Sequence, residues 1–134
     1  MRDPQTPEDW LWVARERMAD AEAMLPARSQ SIGPVYMAGY AIECALKAYI
    51  HKRRGTAAWG HELKTLWQQS GFQLRDLGDI HGPRTYFFQQ WGPNLRYQTE
   101  LNSVSLTTAE LLEGARWIMQ WLHRQMGRIH RRGR

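Results

Sequence analysis

Apolar residues recur every three to four positions along much of the chain, which is the period of an amphipathic α-helix rather than of a β-strand. The first such stretch begins at Thr6, which precedes a proline and two acidic residues, Glu8 and Asp9, as at many helix N-termini. Pro26 is expected to end this helix, because proline disfavours helical geometry in the residue before it. Its apolar residues follow at helical spacing: Trp10, Val13 or Ala14, Met18, Ala21 and Leu25.

A second helix is predicted to begin between Ser31 and Pro34 and to reach about His51. Several of its residues are small, which allows a neighbouring helix to approach closely. Basic residues in the segment 52–54 and a glycine at Gly55 are typical of a helix C-terminus. The buried face is predicted to comprise Val35, Ala38, Ile42, Ala45, Leu46 and Tyr49.

Two further helices are predicted in the rest of the chain. A short one spans residues 60–69, with Leu63, Leu66 and Trp67 facing inward. The last long helix opens with Thr107-Thr108-Ala109-Glu110, which has the order of a capping box, and continues to about Ile129.

Residues 72–106 are interrupted by glycine and proline, so that only short helical turns are expected there, over residues 74–77 and 84–90. No segment shows the alternation of a strand. The sequence therefore predicts an all-α fold, an up-and-down antiparallel bundle of four to five helices, in one domain over residues 1–134.

Composition agrees with a folded domain of 134 residues, because 43% of the residues are hydrophobic and 23% are charged. No apolar run approaches the roughly 20 residues that span a bilayer, and the N-terminus lacks the layout of a signal peptide. A single cysteine, Cys44, excludes a disulfide framework within the chain. We therefore expect a cytoplasmic protein without a membrane partner.

The formal net charge of +5 comes from one segment of the chain. Residues 124–134 contain five arginines and no acidic residue, and the rest of the chain has 13 basic and 13 acidic residues. Such a tail can contact phosphates and steer an anionic partner, or it can be a solvated helix end beside the negative pole of the dipole. The arginines of this basic tail are Arg124, Arg128, Arg131, Arg132 and Arg134.

A second stripe on the second helix has a different character from its apolar face. Tyr36, Tyr40, Glu43 and Lys47 follow one another at steps of four, three and four residues and so share one side of the helix. Helical geometry alone favours a solvated face with a surface ion pair between Glu43 and Lys47. The alternative is a binding surface.

Three runs of residues favour this alternative. They are YAIECALKA at residues 40–48, GHEL at residues 60–63 and WGPNLRY at residues 91–97. Their order and spacing resemble the HEPN family, the helical domains named for higher eukaryotes and prokaryotes nucleotide binding. The resemblance extends over most of the chain, from the first helix to the last.

The resemblance implies an up-and-down helical bundle, often dimeric, with a role linked to nucleotides or RNA. Many HEPN proteins are metal-independent ribonucleases of toxin–antitoxin and phage-defence systems. Others pair with a small nucleotidyltransferase or have lost the catalytic motif. That motif is an arginine followed after four to six residues by a histidine, and it usually opens the last long helix.

The candidate pairs with the spacing of this motif are Arg54 with His61 and Arg124 with His130. Neither pair lies where the motif usually stands, and the arginine within residues 107–116 is interpreted as lacking a histidine at the required distance. Metal-free RNA cleavage needs a base or acid that works near neutral pH and a cation that stabilises the developing phosphorane. His61 with Arg54 or with Arg96 would supply both, whereas a lone histidine at a helix start more commonly packs or caps.

The same region predicts a ligand-binding site for RNA or a nucleotide, because it combines aromatic rings for stacking with cations for phosphate. A structural alternative is an ion pair between Glu43 and Arg96 that organises the bundle. The candidate binding residues are Tyr40, Glu43, Lys47, Arg96 and Tyr97.

Other chemistries find less support. The five histidines form no His-x-x-x-His pair and there is no cysteine cluster, so no metal site and no cofactor is expected. Cys44 has the character of a small buried hydrophobe rather than a nucleophile.

The leading hypothesis is a HEPN-like nucleotide- or RNA-binding domain of a bacterial defence or toxin–antitoxin type module, a homodimer and a candidate metal-independent ribonuclease. The alternative is a non-catalytic adaptor that docks a partner such as a nucleotidyltransferase.

Overall fold

Five α-helices account for most of residues 3–101 and 105–132, the parts of the chain that a computed structural model describes. They form the all-α, up-and-down antiparallel bundle that the sequence predicts. Over the described ranges the one β-type pairing is an isolated bridge between Ser31 and Glu100. The helices are α1 (Pro7–Ala27), α2 (Gly33–Arg54), α3 (Leu63–Gln69), α4 (Pro83–Gln89) and α5 (Thr108–Arg132), with 3-10 turns at Leu74–Leu77 and Pro93–Tyr97.

The ends of the long helices follow the predicted capping residues closely. The Thr6 hydroxyl accepts a hydrogen bond from Asp9 N at 3.1 Å, and the Asp9 carboxylate accepts one from Thr6 N. Thr107 and Glu110 form the same reciprocal pair ahead of α5. Both boxes satisfy backbone N–H groups that a helix N-terminus leaves without partners.

Three helices end later than predicted, among them α5, which reaches Arg132 instead of about Ile129, and one helix begins later. Pro26 lies inside the final turn of α1, which ends at Ala27. The last turn of α2 continues to Arg54, where Gly55 ends it with a φ of +80°. Gly60 also has a positive φ, +97°, which is incompatible with a right-handed helix, and α3 begins only at Leu63.

The core is built around α2, whose residues 41–50 are all buried. Small side chains let neighbours approach this helix closely. At Gly39 an added Cβ would lie 2.0 Å from Cε2 of Trp91, so the indole occupies the space that any side chain would need. The α2 face predicted from the sequence, from Val35 to Tyr49, is buried as expected.

Four aromatic rings form a continuous contact, called the aromatic cluster below, where α3, α4 and α5 meet. The Trp67 ring centroid lies 4.8 Å from that of Phe72, 4.7 Å from that of Phe88 and 5.2 Å from that of Trp121. Phe72 and Trp121 meet edge to face at 4.6 Å. Trp67 is fully buried, so this cluster fixes the short helices against α5.

None of the helices in the described ranges combines the length and the apolar character that a membrane-crossing segment requires.

Candidate functional site

A buried carboxylate on α2 holds an exposed histidine. Glu43 Oε2 lies 2.7 Å from Nδ1 of His61 and 3.0 Å from Nζ of Lys47. The side chains of Glu43 and Lys47 are 8% and 7% exposed, whereas that of His61 is 70% exposed. These three residues are called the Glu43 cluster below. The prediction of a surface ion pair is therefore wrong, because the ion pair forms but both of its side chains are buried.

Burial explains why the pair needs a third partner. A carboxylate removed from water loses hydration that only strong hydrogen bonds can replace. Lys47 lies one turn further along α2 and supplies one such bond, and His61 arrives from the loop between α2 and α3 to supply another. Donation from Nδ1 to the carboxylate leaves Nε2 of His61 as the nitrogen that can exchange a proton with a ligand.

The first helix contributes two residues that the sequence interpretation missed at this place. Nζ of Lys47 lies 5.1 Å from the ring centroid of Trp10, a cation–π contact that covers the buried pair. Arg17 lies close enough to Tyr40 and Cys44 to favour their charged forms. Trp10 and Arg17 are two helical turns apart on one side of α1, a spacing that could have indicated them.

Tyr40 and Cys44 border the Glu43 cluster as neutral groups. Burial raises the pKa of Tyr40, and the neighbouring Cys44 and Glu43 add to this effect while Arg17 opposes it. Burial raises the pKa of Cys44 to about 12, with Glu43 as the second cause. The thiol is 1% exposed and stays protonated at neutral pH, which suits a small hydrophobe and not a nucleophile.

The structure does not bring Arg54 to His61. Nη2 of Arg54 donates to the carbonyl of Gln69 at 2.7 Å, at the C-terminal end of α3, while His61 precedes the N-terminal end of that helix. Arg54 also lies about 16 Å beyond Glu43 along the axis of α2, since an α-helix rises about 1.5 Å per residue. The arginine thus binds the free carbonyls of a helix end.

Arg96 and Tyr97 are exposed in the second 3-10 turn, and the Arg96 guanidinium lies 5.0 Å from the Tyr97 ring centroid. Among the described residues no ion pair joins Arg96 to Glu43, whose carboxylate is bound by Lys47 and His61 instead. The ion pair that the sequence offers as an alternative is therefore not formed. Of the five candidate binding residues, the structure connects Glu43 directly to His61, and Lys47 to His61 only through the Glu43 carboxylate.

Two further pairs with the spacing of the family motif were overlooked in the sequence: Arg75 with His81, which have five residues between them, and Arg116 with His123. Arg116 and His123 have six residues between them and both lie on α5, the helix that usually carries this motif. Nη1 of Arg116 lies 3.2 Å from Oε1 of Glu22 on α1. His123 is exposed beside a largely apolar groove between α1 and α5 that Arg15 and Arg124 also line.

The described part of the basic tail continues α5. Arg124 and Arg128 are exposed, and Nη1 of Arg128 lies 3.4 Å from Oε1 of Gln125. Arg134 lies outside the described residues, as do the side chains of His130, Arg131 and Arg132. Within the described ranges no group of three or more histidine, cysteine, aspartate or glutamate side chains is arranged to hold a metal ion.

The fold and the site define a class: a small all-helical bundle with a buried carboxylate that anchors a histidine. A family model described as HEPN domain matches residues 7–91, so the chain belongs to the HEPN family.

Two solved structures are similar to this chain. ST0689, an archaeal HEPN homologue, has a TM-score of 0.61 and 16% identity, and the alignment covers 92% of this chain and 99% of that one. TT1696 from Thermus thermophilus has a TM-score of 0.56 and 25% identity, with 88% and 96% covered. The first likeness shows the fold alone. No curated protein matches the chain.

Proposed function

We propose that the protein binds RNA or a nucleotide at the Glu43 cluster and cleaves RNA there without a metal, as part of a bacterial defence or toxin–antitoxin type module in the cytoplasm. One observation carries the proposal: an imidazole with a 70% exposed side chain is held at 2.7 Å by a carboxylate that is itself buried. A solvated histidine does not need such an anchor. A histidine that must present Nε2 to a ligand in one orientation does.

The chemistry that follows is general base catalysis. Nε2 of His61 takes the proton of a ribose 2′-hydroxyl, the 2′ oxygen attacks the adjacent phosphorus, and the bond from phosphorus to the 5′ oxygen breaks. Water protonates the leaving oxygen, and the products are a 2′,3′-cyclic phosphate and a 5′-hydroxyl. Glu43 positions the imidazole, and Arg17 offers a cation for the developing phosphorane charge. Lys47 neutralises Glu43 and so allows an anionic ligand to approach.

The decisive experiment measures RNA cleavage by the purified protein in EDTA, together with three histidine variants. We expect the parent to cleave and His61→Ala to lose about 100-fold or more of the rate, the usual effect of removing a general base. His81→Ala tests the motif-spaced pair of Arg75 and His81; His81 is exposed at the start of α4, away from α2, so this variant should cleave as the parent does if the Glu43 cluster is the site. His123→Ala tests the motif-spaced pair on α5.

Each outcome assigns the site differently. Loss of cleavage in His61→Ala alone supports the Glu43 cluster, whereas loss in His123→Ala alone would move the active site to α5. If the parent binds RNA without cleaving it and His61→Ala abolishes the binding, the site is a binding site and the nuclease step is wrong. If the parent neither binds nor cleaves RNA, the proposal falls as a whole.

A second candidate function is a non-catalytic adaptor, which exposed apolar residues favour. Trp12 on α1 is 57% exposed, and a groove between α1 and α5 is lined by Leu11, Met119 and Met126. A second copy of the chain or a nucleotidyltransferase would cover this surface.

Light scattering of the purified protein would detect the homodimer, as a mass twice the 15.7 kDa of one chain. A nucleotidyltransferase that the parent retains and Trp12→Ala releases would support the adaptor.

A further inference from the structure

Trp59 is the most exposed large hydrophobic residue in the described part of the chain. Its side chain is 86% exposed, compared with 77% for Ile80 and 57% for Trp12. No contact between aromatic rings of the described residues involves it, so the indole does not contribute to the aromatic packing of the core. An indole this exposed leaves apolar surface in water that a ligand can cover.

The position of Trp59 connects it to the Glu43 cluster. Two peptide units separate it from His61, so the two Cα atoms are at most about 7.6 Å apart. Both residues lie in the loop between α2 and α3, whose Gly55 and Gly60 have positive φ and no atom within 4 Å of an added Cβ. The loop therefore projects into solvent and carries an unpartnered indole next to an anchored imidazole.

The neighbouring loop residues limit what this surface can recognise. Thr56, Ala57 and Ala58 are small and include no amide or charged side chain that could read the edge of a base, and the carboxylate of Glu62 in this loop accepts a hydrogen bond from the Thr65 hydroxyl at 2.7 Å. An indole offers a flat face that stacks on any nucleobase. The exposed Tyr40, one turn before Glu43 on α2, is a further aromatic group at this side of the molecule.

We propose that Trp59 is the base-stacking subsite of the Glu43 cluster and holds a nucleobase there without base-specific hydrogen bonds. This inference rests on the proposed function, since it needs a nucleotide or RNA at His61. Trp59 stacks on the base while the ribose and phosphate of the same or the adjacent nucleotide face Nε2 of His61. The indole contacts the ligand and takes no part in proton transfer.

The test uses two uncleavable single-stranded probes of equal length and charge, measured by calorimetry with the full chain. One is a 2′-O-methyl oligoadenylate and the other is the corresponding abasic oligomer of 2′-O-methylribose phosphate. We expect the parent to bind the oligoadenylate more tightly, and Trp59→Ala to weaken that binding about 10-fold or more while leaving the abasic probe unchanged. Trp59→Phe should retain most of the affinity, because a phenyl ring still stacks.

Ile80→Ala is the control, since Ile80 is also a large hydrophobic residue, 77% exposed, but precedes α4 and lies outside the surfaces proposed for binding. Oligoadenylate binding by Trp59→Ala that equals the parent's would overturn the inference, as would an equal loss for both probes. Loss of binding in His61→Ala with none in Trp59→Ala would reject the stacking subsite alone. Failure of the parent to bind either probe would remove the proposed function and this inference with it. Selective loss of a protein partner in Trp59→Ala, with binding of both probes intact, would make the residue a docking contact instead.

Discussion

For Glu43, the helical pattern correctly predicts the residue that it contacts but not that the contact is buried. The spacing of Glu43 and Lys47 predicts their contact, and Nζ and Oε2 are 3.0 Å apart. Their burial could not be derived from spacing, because it depends on Trp10 of α1 and on His61 of a later loop. The resemblance of residues 40–48 and 60–63 to one family was the signal that placed all three in one site.

Removing the carboxylate of Glu43 should destabilise the fold strongly. Glu43→Ala leaves the Lys47 ammonium buried without its partner, and we expect a loss of about 3–5 kcal/mol of unfolding free energy. The double variant Glu43→Leu with Lys47→Met removes both charges and should recover most of this loss. Chemical denaturation with a constant m-value measures these differences.

Asp20→Ala is the control for this experiment. It removes the partner of Arg17 in an ion pair of 3.0 Å whose side chains are 38% and 51% exposed. Such exposed pairs contribute about 1 kcal/mol or less, so the variant should unfold nearly as the parent does. A cost for Glu43→Ala as small as that for Asp20→Ala would show that the Glu43 cluster is solvated in solution.

Among the helices, the long ones were predicted within a few residues because their caps depend on adjacent residues. Thr6 with Asp9 and Thr107 with Glu110 need only the local chain to form their hydrogen bonds. The start of α3 was predicted too early because the left-handed geometry of Gly60 is not visible from composition. The contact of Arg54 with the end of α3 was likewise hidden, since two elements must pack before a guanidinium can reach that carbonyl.

The two helices α2 and α5 offer a matched pair of glycines. Gly39→Ala places a methyl group 2.0 Å from Trp91, so we expect a destabilisation of about 1–3 kcal/mol from overpacking. Gly127→Ala meets no atom within 4 Å, and the better helix propensity of alanine should stabilise the protein by about 0.5–1 kcal/mol. Thermal unfolding of both variants beside the parent gives the comparison. A Gly39→Ala variant as stable as the parent would mean that Trp91 is not fixed against α2.

At the scale of the whole molecule, stability should fall in alkaline solution. Burial raises the pKa of both Cys44 and Tyr86 to about 12, above their ordinary values of 9.0 and 10.0. Between these values the native state keeps protons that the unfolded chain releases, so unfolding becomes more favourable as the pH rises above about 9. Denaturation midpoints measured from about pH 7 to about pH 11 test this expectation.

Two variants separate the contributions of these groups. Cys44→Ala and Tyr86→Phe should each reduce the alkaline loss relative to their own stability at neutral pH, because each removes one group that must ionise on unfolding. The conclusion rests on the difference between each variant and the parent. An unchanged slope in both variants would contradict the assignment.

The fold as a whole could be predicted from the sequence much more completely than the site. Periodicity and caps define the helices, and α2 is apolar enough to be the centre of any arrangement of them. The meeting of Glu43 with His61 joins positions 18 residues apart through a loop, and no local rule gives its direction. The separation of Arg54 from His61 has the same origin, because motif spacing does not describe where a loop turns.

The aromatic cluster has a practical consequence for all of these measurements. Indole transitions on rings as close as those of Trp67 and Trp121, 5.2 Å apart, couple and give a paired positive and negative band in the ultraviolet circular dichroism spectrum. This signal depends on the mutual orientation of rings from α3 and α5, whereas the helical signal depends only on the backbone. The coupled tryptophan band therefore distinguishes a variant with native packing, which keeps the band, from a molten state that keeps its helices but loses the band.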